Sequence, residues 1–267
     1  MNRASIVLGI LVAFAWLGAP RIANAQEVEL QSLDLLPTDP APQVVGGKPA
    51  NPTAWPATFV FRNEHGTGCT ATAIGPRTIL SAAHCMRNGS QARVATRNRD
   101  TTVVCHHHPK YPDDISADFA LCVAGADMPR PGDGFEKVNA DAALVAIGRK
   151  VQLLGYGCLT KGGADLSFGA LYEGASSVSH FLPAYPNYVI AVGAAGVCFG
   201  DSGGGAFMVT SAGFRRLMAV NSRGDISTNS WLSLTHKPDF MDWAKGWATQ
   251  HATRICGIHS DAAGCRQ

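Results

Sequence analysis

Between residues 55 and 220 the chain alternates short apolar stretches with turn residues, and no helical periodicity interrupts them. Residues 58–61, 70–74 and 78–82 read as strands, with Gly75-Pro76 turning the chain between the last two. Val103-Val104 and residues 119–123, 151–154, 189–192, 206–209 and 217–220 continue the series. Many short strands without intervening helices predict an all-β sandwich or barrel. One helix is predicted near the end of the chain. Pro238 suits a first-turn position, Asp239 complements the helix N-terminus, and Phe240, Trp243, Ala244 and Trp247 share a face. Those aromatics read as core packing rather than as a ligand site, and Gly246 weakens the helix slightly. No internal repeat of fixed period is present.

Composition narrows the class. Hydrophobic residues make up 46% of the 267, enough to build a core. A formal net charge of +2 with 16% charged residues points away from a nucleic-acid or membrane-surface partner. At the N-terminus, Arg3 precedes an apolar run over residues 6–17, and small residues end in Ala23-Asn24-Ala25. That layout predicts a secretory signal peptide over residues 1–25, cleaved after Ala25. A membrane anchor is the competing reading, but the run is shorter than the roughly 20 residues a span needs. The mature protein is therefore expected to be soluble and extracellular or periplasmic. Residues 26–43 carry Glu27, Glu29, Asp34 and Asp39 among Pro37, Pro40 and Pro42, and read as an extended pro-segment or linker. Eight cysteines, at 69, 85, 105, 122, 158, 198, 256 and 265, are expected to form disulfides in an oxidising compartment. No Cys-x-x-Cys pair occurs, which disfavours structural zinc.

Three segments carry the chemistry. In Gly200-Asp201-Ser202-Gly203-Gly204, a serine between glycines can project its hydroxyl beside a bare backbone. A serine is a weak nucleophile without a base, and a Gly-x-Ser-x-Gly segment also occurs in α/β-hydrolases. In Ser81-Ala82-Ala83-His84-Cys85, a histidine ends an apolar strand beside a cysteine. In Asp118-Phe119-Ala120-Leu121, an acid stands at the mouth of another strand, with Asp113 and Asp114 as rival acids. Taken singly, these are compatible with a glycine turn, a buried structural histidine and a strand-edge aspartate. The order His84, Asp118, Ser202 argues against an α/β-hydrolase, whose triad runs Ser, Asp/Glu, His.

Together the three segments closely resemble those of the chymotrypsin/trypsin family of serine proteases, over residues 44–249. The resemblance implies two six-stranded antiparallel β-barrels, about 58–145 and 150–235, with a C-terminal helix about 238–252, in a protease domain over 44–267. It implies a secreted serine endopeptidase in which Ser202 attacks, His84 is the general base and Asp118 orients it. Gly200 and Ser202 backbone N–H groups would form the oxyanion hole. The partner would be a protein or peptide substrate, with no cofactor, no stable membrane anchor and a monomeric state. The alternative is a catalytically silent homologue that binds a partner.

Val44-Val45-Gly46-Gly47 is similar to the family's new N-terminus after pro-segment removal, so the Val44 ammonium is expected to pair with Asp201. Gln43, rather than Lys or Arg, precedes it, so activation by a basic-specific protease is not implied. Cys69–Cys85 matches the family's bridge beside the histidine. By the same resemblance Cys158 is the best partner for Cys198, leaving Cys105–Cys122 and Cys256–Cys265 among roughly a hundred formal pairings. Aligned on the serine segment, Gly196 stands where trypsin-like cleavage needs an aspartate. With Val197 and Phe199 it makes an apolar primary pocket, and Ser222 and Arg223 are expected on the opposite wall, in place of the family's Ser-Trp pair. Arg223 directed into that pocket would favour acidic side chains; solvated, it leaves an uncharged preference, which is the reading adopted. His106-His107-His108 suggests a metal, but adjacent strand residues face opposite ways, and no metal site is assigned.

Overall fold

The computed structural model describes residues 43–95, 100–158 and 169–267. The expected signal peptide over 1–25 and the pro-segment up to residue 42 lie outside the described residues. Among those described, no helix is long and apolar enough to cross a membrane.

The first barrel is built from β2 (Thr58–Arg62), β3 (Gly68–Gly75), β4 (Thr78–Ser81), β5 (Gln91–Ala95), β6 (Asp100–His107) and β7 (Ala120–Ala124), after a short β1 (Lys48–Pro49). It closes in the order β2-β3-β4-β7-β6-β5. The second comprises β8 (Lys150–Gly155), β9 (Tyr172–Phe181), β10 (Tyr188–Val192), β11 (Gly205–Val209), β12 (Arg215–Gly224) and β13 (Asn229–Leu234). Its order is β9-β10-β13-β12-β11-β8, and pairing of β8 with β9 closes it; β1 adds to the outer edge of β9. All registers are antiparallel. Closure pairs each strand on both sides over most of its length, which is how all-β folds avoid edge-to-edge association.

Local sequence explains which strands are visible in it. β3 is buried along nearly its whole length and reads as a continuous run of small and apolar residues. In β5 only Ala92 and Val94 turn inward, alternating with exposed Gln91 and Arg93. β9 carries three serines, a glycine and a histidine among its residues, and Ser230 and Ser233 are buried in β13. Those strands carry too few apolar residues to announce themselves, and their neighbours hold them in place.

The predicted helix is α1 (Pro238–Gln250), with Pro238 in its first turn and Asp239 at its N-terminal end. Phe240, Ala244, Trp247 and Ala248 are buried, and Trp243 is half-buried. The Phe240 ring lies 4.7 Å, tilted, from that of Phe119, one residue beyond Asp118. The helix thus packs under the segment that presents the aspartate. Glu136, in the connection between the barrels, is wholly buried and pairs with Arg215 of β12 and Arg266 of the C-terminal tail. A buried carboxylate left without such partners would be strongly destabilising.

Four disulfides hold loops onto this frame: Cys69–Cys85, Cys105–Cys122, Cys158–Cys198 and Cys256–Cys265. Cys105 and Cys122 are directly opposite in the β6–β7 ladder. Each bridge contributes about 2–4 kcal/mol.

Candidate active site

The first barrel supplies the imidazole and the carboxylate. β4 runs into a single 3-10 turn, Ala83–Cys85, that presents His84, and the Cys69–Cys85 bridge ties this turn to β3. Asp118 precedes β7 and is fully buried. Its two oxygens hold His84 at two points: Oδ1 accepts the His84 backbone N–H at 2.9 Å, and Oδ2 lies 2.6 Å from the ring Nδ1. The Ser222 hydroxyl donates to the same Oδ2 at 2.5 Å. Burial alone would raise the Asp118 carboxyl. The charge and hydrogen bond of His84, then the Ser222 hydroxyl and the His84 amide, outweigh it and hold Asp118 below the usual carboxylate value. An ionised carboxylate only accepts, so Nδ1 carries the ring proton and Nε2 is left as the basic nitrogen.

Ser202 comes from the loop between β10 and β11. Thr70 of β3 pins this loop: its N–H donates to Ser202 O at 2.8 Å and its Oγ1 to Gly200 O at 2.7 Å. Gly203 seats the turn against the histidine's own strand. Its φ is +80°, and a Cβ there would collide with Ser81 Oγ and Thr70 O and lie 2.9 Å from Ala82 N. The serine loop therefore packs directly on Ser81-Ala82, immediately before the turn that holds His84. Among the described residues, Ser202 Oγ and His84 Nε2 are not hydrogen-bonded to each other, and the backbone N–H groups of Gly200 and Ser202 donate to nothing. In an unliganded site such bonds are often long and tighten on substrate binding.

Asp201 turns the other way. Its carboxylate is buried, with Oδ2 accepting from Cys198 N and Oδ1 from Gly157 N, both at 2.9 Å. Burial pushes its carboxyl up to about 7, although the two amides oppose this. Val44 is still joined to Gln43, so it offers Asp201 no ammonium, but its side chain is already buried in the second barrel's core. Val45 bridges Gly196, whose N–H donates to Val45 O at 3.0 Å.

The residues expected around the primary pocket differ in exposure and in partners. Gly196 lies under Ser227 O, where a Cβ would come within 2.8 Å. Val197 is 3% exposed in the second core, its flank covered by Gly224, whereas Phe199 is 50% exposed. The Ser222 hydroxyl does not line a pocket wall, because it is committed to Asp118 and to Tyr188 Oη at 2.8 Å. The charge of Arg223 acts on Tyr188, with which it also hydrogen-bonds, and on Asp118 and Tyr111. The rival acid Asp114 is held by Ser116 and Asn187. Thr70 and Tyr188, which also donates to Ile115 O at 2.7 Å, were not singled out by sequence. Neither sits in a distinctive local pattern.

The three adjacent histidines go to three different partners. His106 accepts from Trp247 Nε1 at 3.2 Å and stacks on His251 at 4.6 Å. His107 Nε2 donates to Met86 O at 2.9 Å, next to the His84 turn, and His108 Nε2 donates to Asp239 O in α1 at 3.2 Å. Burial holds all three below the ordinary histidine value; His251 adds to this at His106, and carbonyl hydrogen bonds oppose it at His107 and His108. The unfolded chain therefore takes up these protons first. The stability they contribute is fully present above the ordinary value of about 6.5 and is lost as pH falls below it. The urea midpoint of the wild type is expected to drop between pH 7.5 and 5.5 more steeply than that of a His106→Gln/His108→Gln variant; parallel slopes would refute the assignment.

The sequence model of the family described as Trypsin matches residues 44–243. The chain is also similar to neutrophil elastase of Mus musculus, 43% identical over 53 residues, a stretch that is 20% of this chain and 20% of that protein. It thus spans about a fifth of the length of this curated relative. The family match extends over most of the chain and takes in both closed barrels and the residues from His84 to Ser202, so the chain belongs to the trypsin family.

Proposed function

We propose that the protein is a secreted serine endopeptidase, made as a zymogen, that cleaves peptide bonds through His84, Asp118 and Ser202. The observation that carries this reading is the double hold of Asp118 on His84. It leaves Nε2 as the basic nitrogen, on a turn that follows the Ser81-Ala82 segment against which the serine loop packs, and the N–H groups of Gly200 and Ser202 in that loop have no partner among the described residues.

The chemistry follows from these groups. Ser202 Oγ attacks the scissile carbonyl carbon while His84 Nε2 takes its proton. The carbonyl π pair becomes an oxyanion, met by the N–H groups of Gly200 and Ser202. Such a donor is worth about 2.7–4 kcal/mol, because the charge it meets exists only in the transition state. The imidazolium, stabilised by Asp118, then protonates the leaving amine as the C–N bond breaks. Water repeats the sequence on the acyl-enzyme, and His84 again accepts and returns the proton. The Ser222–Gly224 stretch supports a peptide as the substrate. It pairs with β13 on one side but not with β11, whose pairing with β12 ends at Gly205 opposite Val220, so one backbone edge is open to an extended chain.

Activation rests on Val44 and Asp201. Val44 lies at φ 28°, ψ 94°, a conformation that β-branched residues avoid. Cleavage after Gln43 relieves it and frees an ammonium where a buried carboxylate has no cation. The new charge stabilises ionised Asp201 and, through Asp201, the loop carrying Gly200 and Ser202. Freed of residues 1–43, the protein is expected to take a serine-directed organophosphorus label on Ser202 and to digest a peptide library, favouring uncharged residues at the cleaved position. Acetylation of the Val44 amine should abolish turnover; an undiminished rate would sink the activation mechanism.

A second reading, a silent homologue that binds a partner, is favoured by one observation, the missing Oγ–Nε2 hydrogen bond. Failure of the Val44-started protein to take the label would decide for it.

A further inference from the structure

Arg223 follows Ser222 in β12, and the β12–β13 register slips between Asn221 and Arg223. In a regular strand these two side chains would face opposite sides. Here Ser222 is the extra residue, and a bulge of this kind re-aims a side chain. Ser222 reaches Asp118 and Tyr188, and the charge of Arg223 acts on the same two groups and on Tyr111.

Burial disfavours the cation, but the charge and hydrogen-bond acceptor of Tyr188 and the charge of Asp118 outweigh it and keep the guanidinium charged. Asp118 already accepts from the His84 amide, the His84 ring and Ser222. The Tyr188 hydroxyl is engaged with Ile115 O and Ser222. Arg223 Nε is buried without a hydrogen-bond partner, and no carboxylate among the described residues forms a salt bridge with this guanidinium. A buried donor left without a partner costs free energy that an acceptor from a ligand would recover. Arg223 lies within the open Ser222–Gly224 stretch, whose Gly224 packs on Val197.

We infer that Arg223 is a specificity-determining residue that binds a carboxylate side chain of the peptide substrate, at a position neighbouring the one seated in the primary pocket. This rests on the peptidase reading above. It divides recognition in two: an uncharged residue at the cleaved position and an acidic residue beside it. A guanidinium meets a carboxylate with paired, charge-assisted hydrogen bonds, so the acid should be preferred over its amide by about 10–100-fold.

The test uses the Val44-started protein and quenched fluorescent peptides with one uncharged cleaved residue. Glu, Gln or Lys is placed in turn at each of the flanking positions. One position is expected to show a Glu preference, carried mainly in KM and weakened by salt. Arg223→Gln should bring the Glu/Gln ratio towards one, and Arg223→Glu should reverse it in favour of Lys; Ser202 labelling reports that both variants are folded. Equal cleavage of Glu and Gln peptides at every position overturns the inference and leaves the peptidase reading intact. So does a loss in Arg223→Gln that is uniform across peptides and moves the acidic limb of the pH profile, since that describes a residue bracing Asp118. Cleavage of no peptide at all overturns both.

Discussion

Ser202→Ala is expected to lower kcat of the processed enzyme by about a millionfold. The expectation follows from how the site shares its work. His84 Nε2 is basic only to the extent that Asp118 holds its other nitrogen, and that basicity is useless without an oxygen to deprotonate. Removing one member of such a unit costs nearly as much as removing all of it. His84→Ala added to Ser202→Ala should therefore change little further, and a residual rate of about 10³–10⁴ over water should survive from the oxyanion donors and binding. Kinetics on protein calibrated by active-site titration provide the check. A Ser202→Ala enzyme within tenfold of wild type would place the nucleophile elsewhere.

Asp118→Asn is expected to cost about 10⁴ in kcat with little change in KM. The amide is nearly the same shape, so the fold should survive, but it cannot make the same bonds. Oδ1 can still accept from the His84 backbone, which turns the new NH₂ towards Nδ1. Nδ1 must then accept, the proton moves to Nε2, and the imidazole becomes a donor where a base is needed. The variant should also lose an acid-sensitive part of its stability. Asp118 lies below the usual carboxylate value in the folded protein, so its contribution is present above about 3.8 and disappears as pH falls towards the folded value. An Asp118→Asn enzyme with wild-type kcat would assign the orienting role to another acid. Asp114 is poorly placed for it, because its oxygens are taken by Ser116 and Asn187.

Much of the architecture was legible in the sequence. The apolar strands of the first barrel, β2, β3, β4 and β7, and the amphipathic α1 announce themselves by period and punctuation. β5, β9 and β13 do not, because β5 offers two inward residues, β9 carries three serines, a glycine and a histidine, and β13 buries serines. Such strands exist because closing a barrel supplies their missing partners, and that is a property of the whole sheet. The site divides in the same way. Gly200-Asp201-Ser202-Gly203, Ala83-His84-Cys85 and Asp118-Phe119 are each local and readable. The hold of Thr70 on the serine loop is not, since it joins residues 130 positions apart.

Arg223 shows most clearly where a linear reading ends. Its position after Ser222 suggested a wall of the primary pocket; the register slip leaves Ser222 bonded to Asp118 and Tyr188, and the charge of Arg223 acts on the same two groups. A bulge depends on the pairing of β12 with β13 and leaves no mark in the residues that form it. The sequence by itself determined which chemical groups are available: a serine between glycines, a histidine beside a cysteine, an acid at a strand mouth and a chain of strands able to close. Only the tertiary structure decided that Ser222 and His84 share the carboxylate of Asp118, 104 residues before Ser222, and that Asp201 sits buried with no cation beside it among the described residues. The physical reason is that protonation and hydrogen bonding depend on burial and on distances of about 3 Å, which arise when separate strands meet and not from the order of residues along one of them.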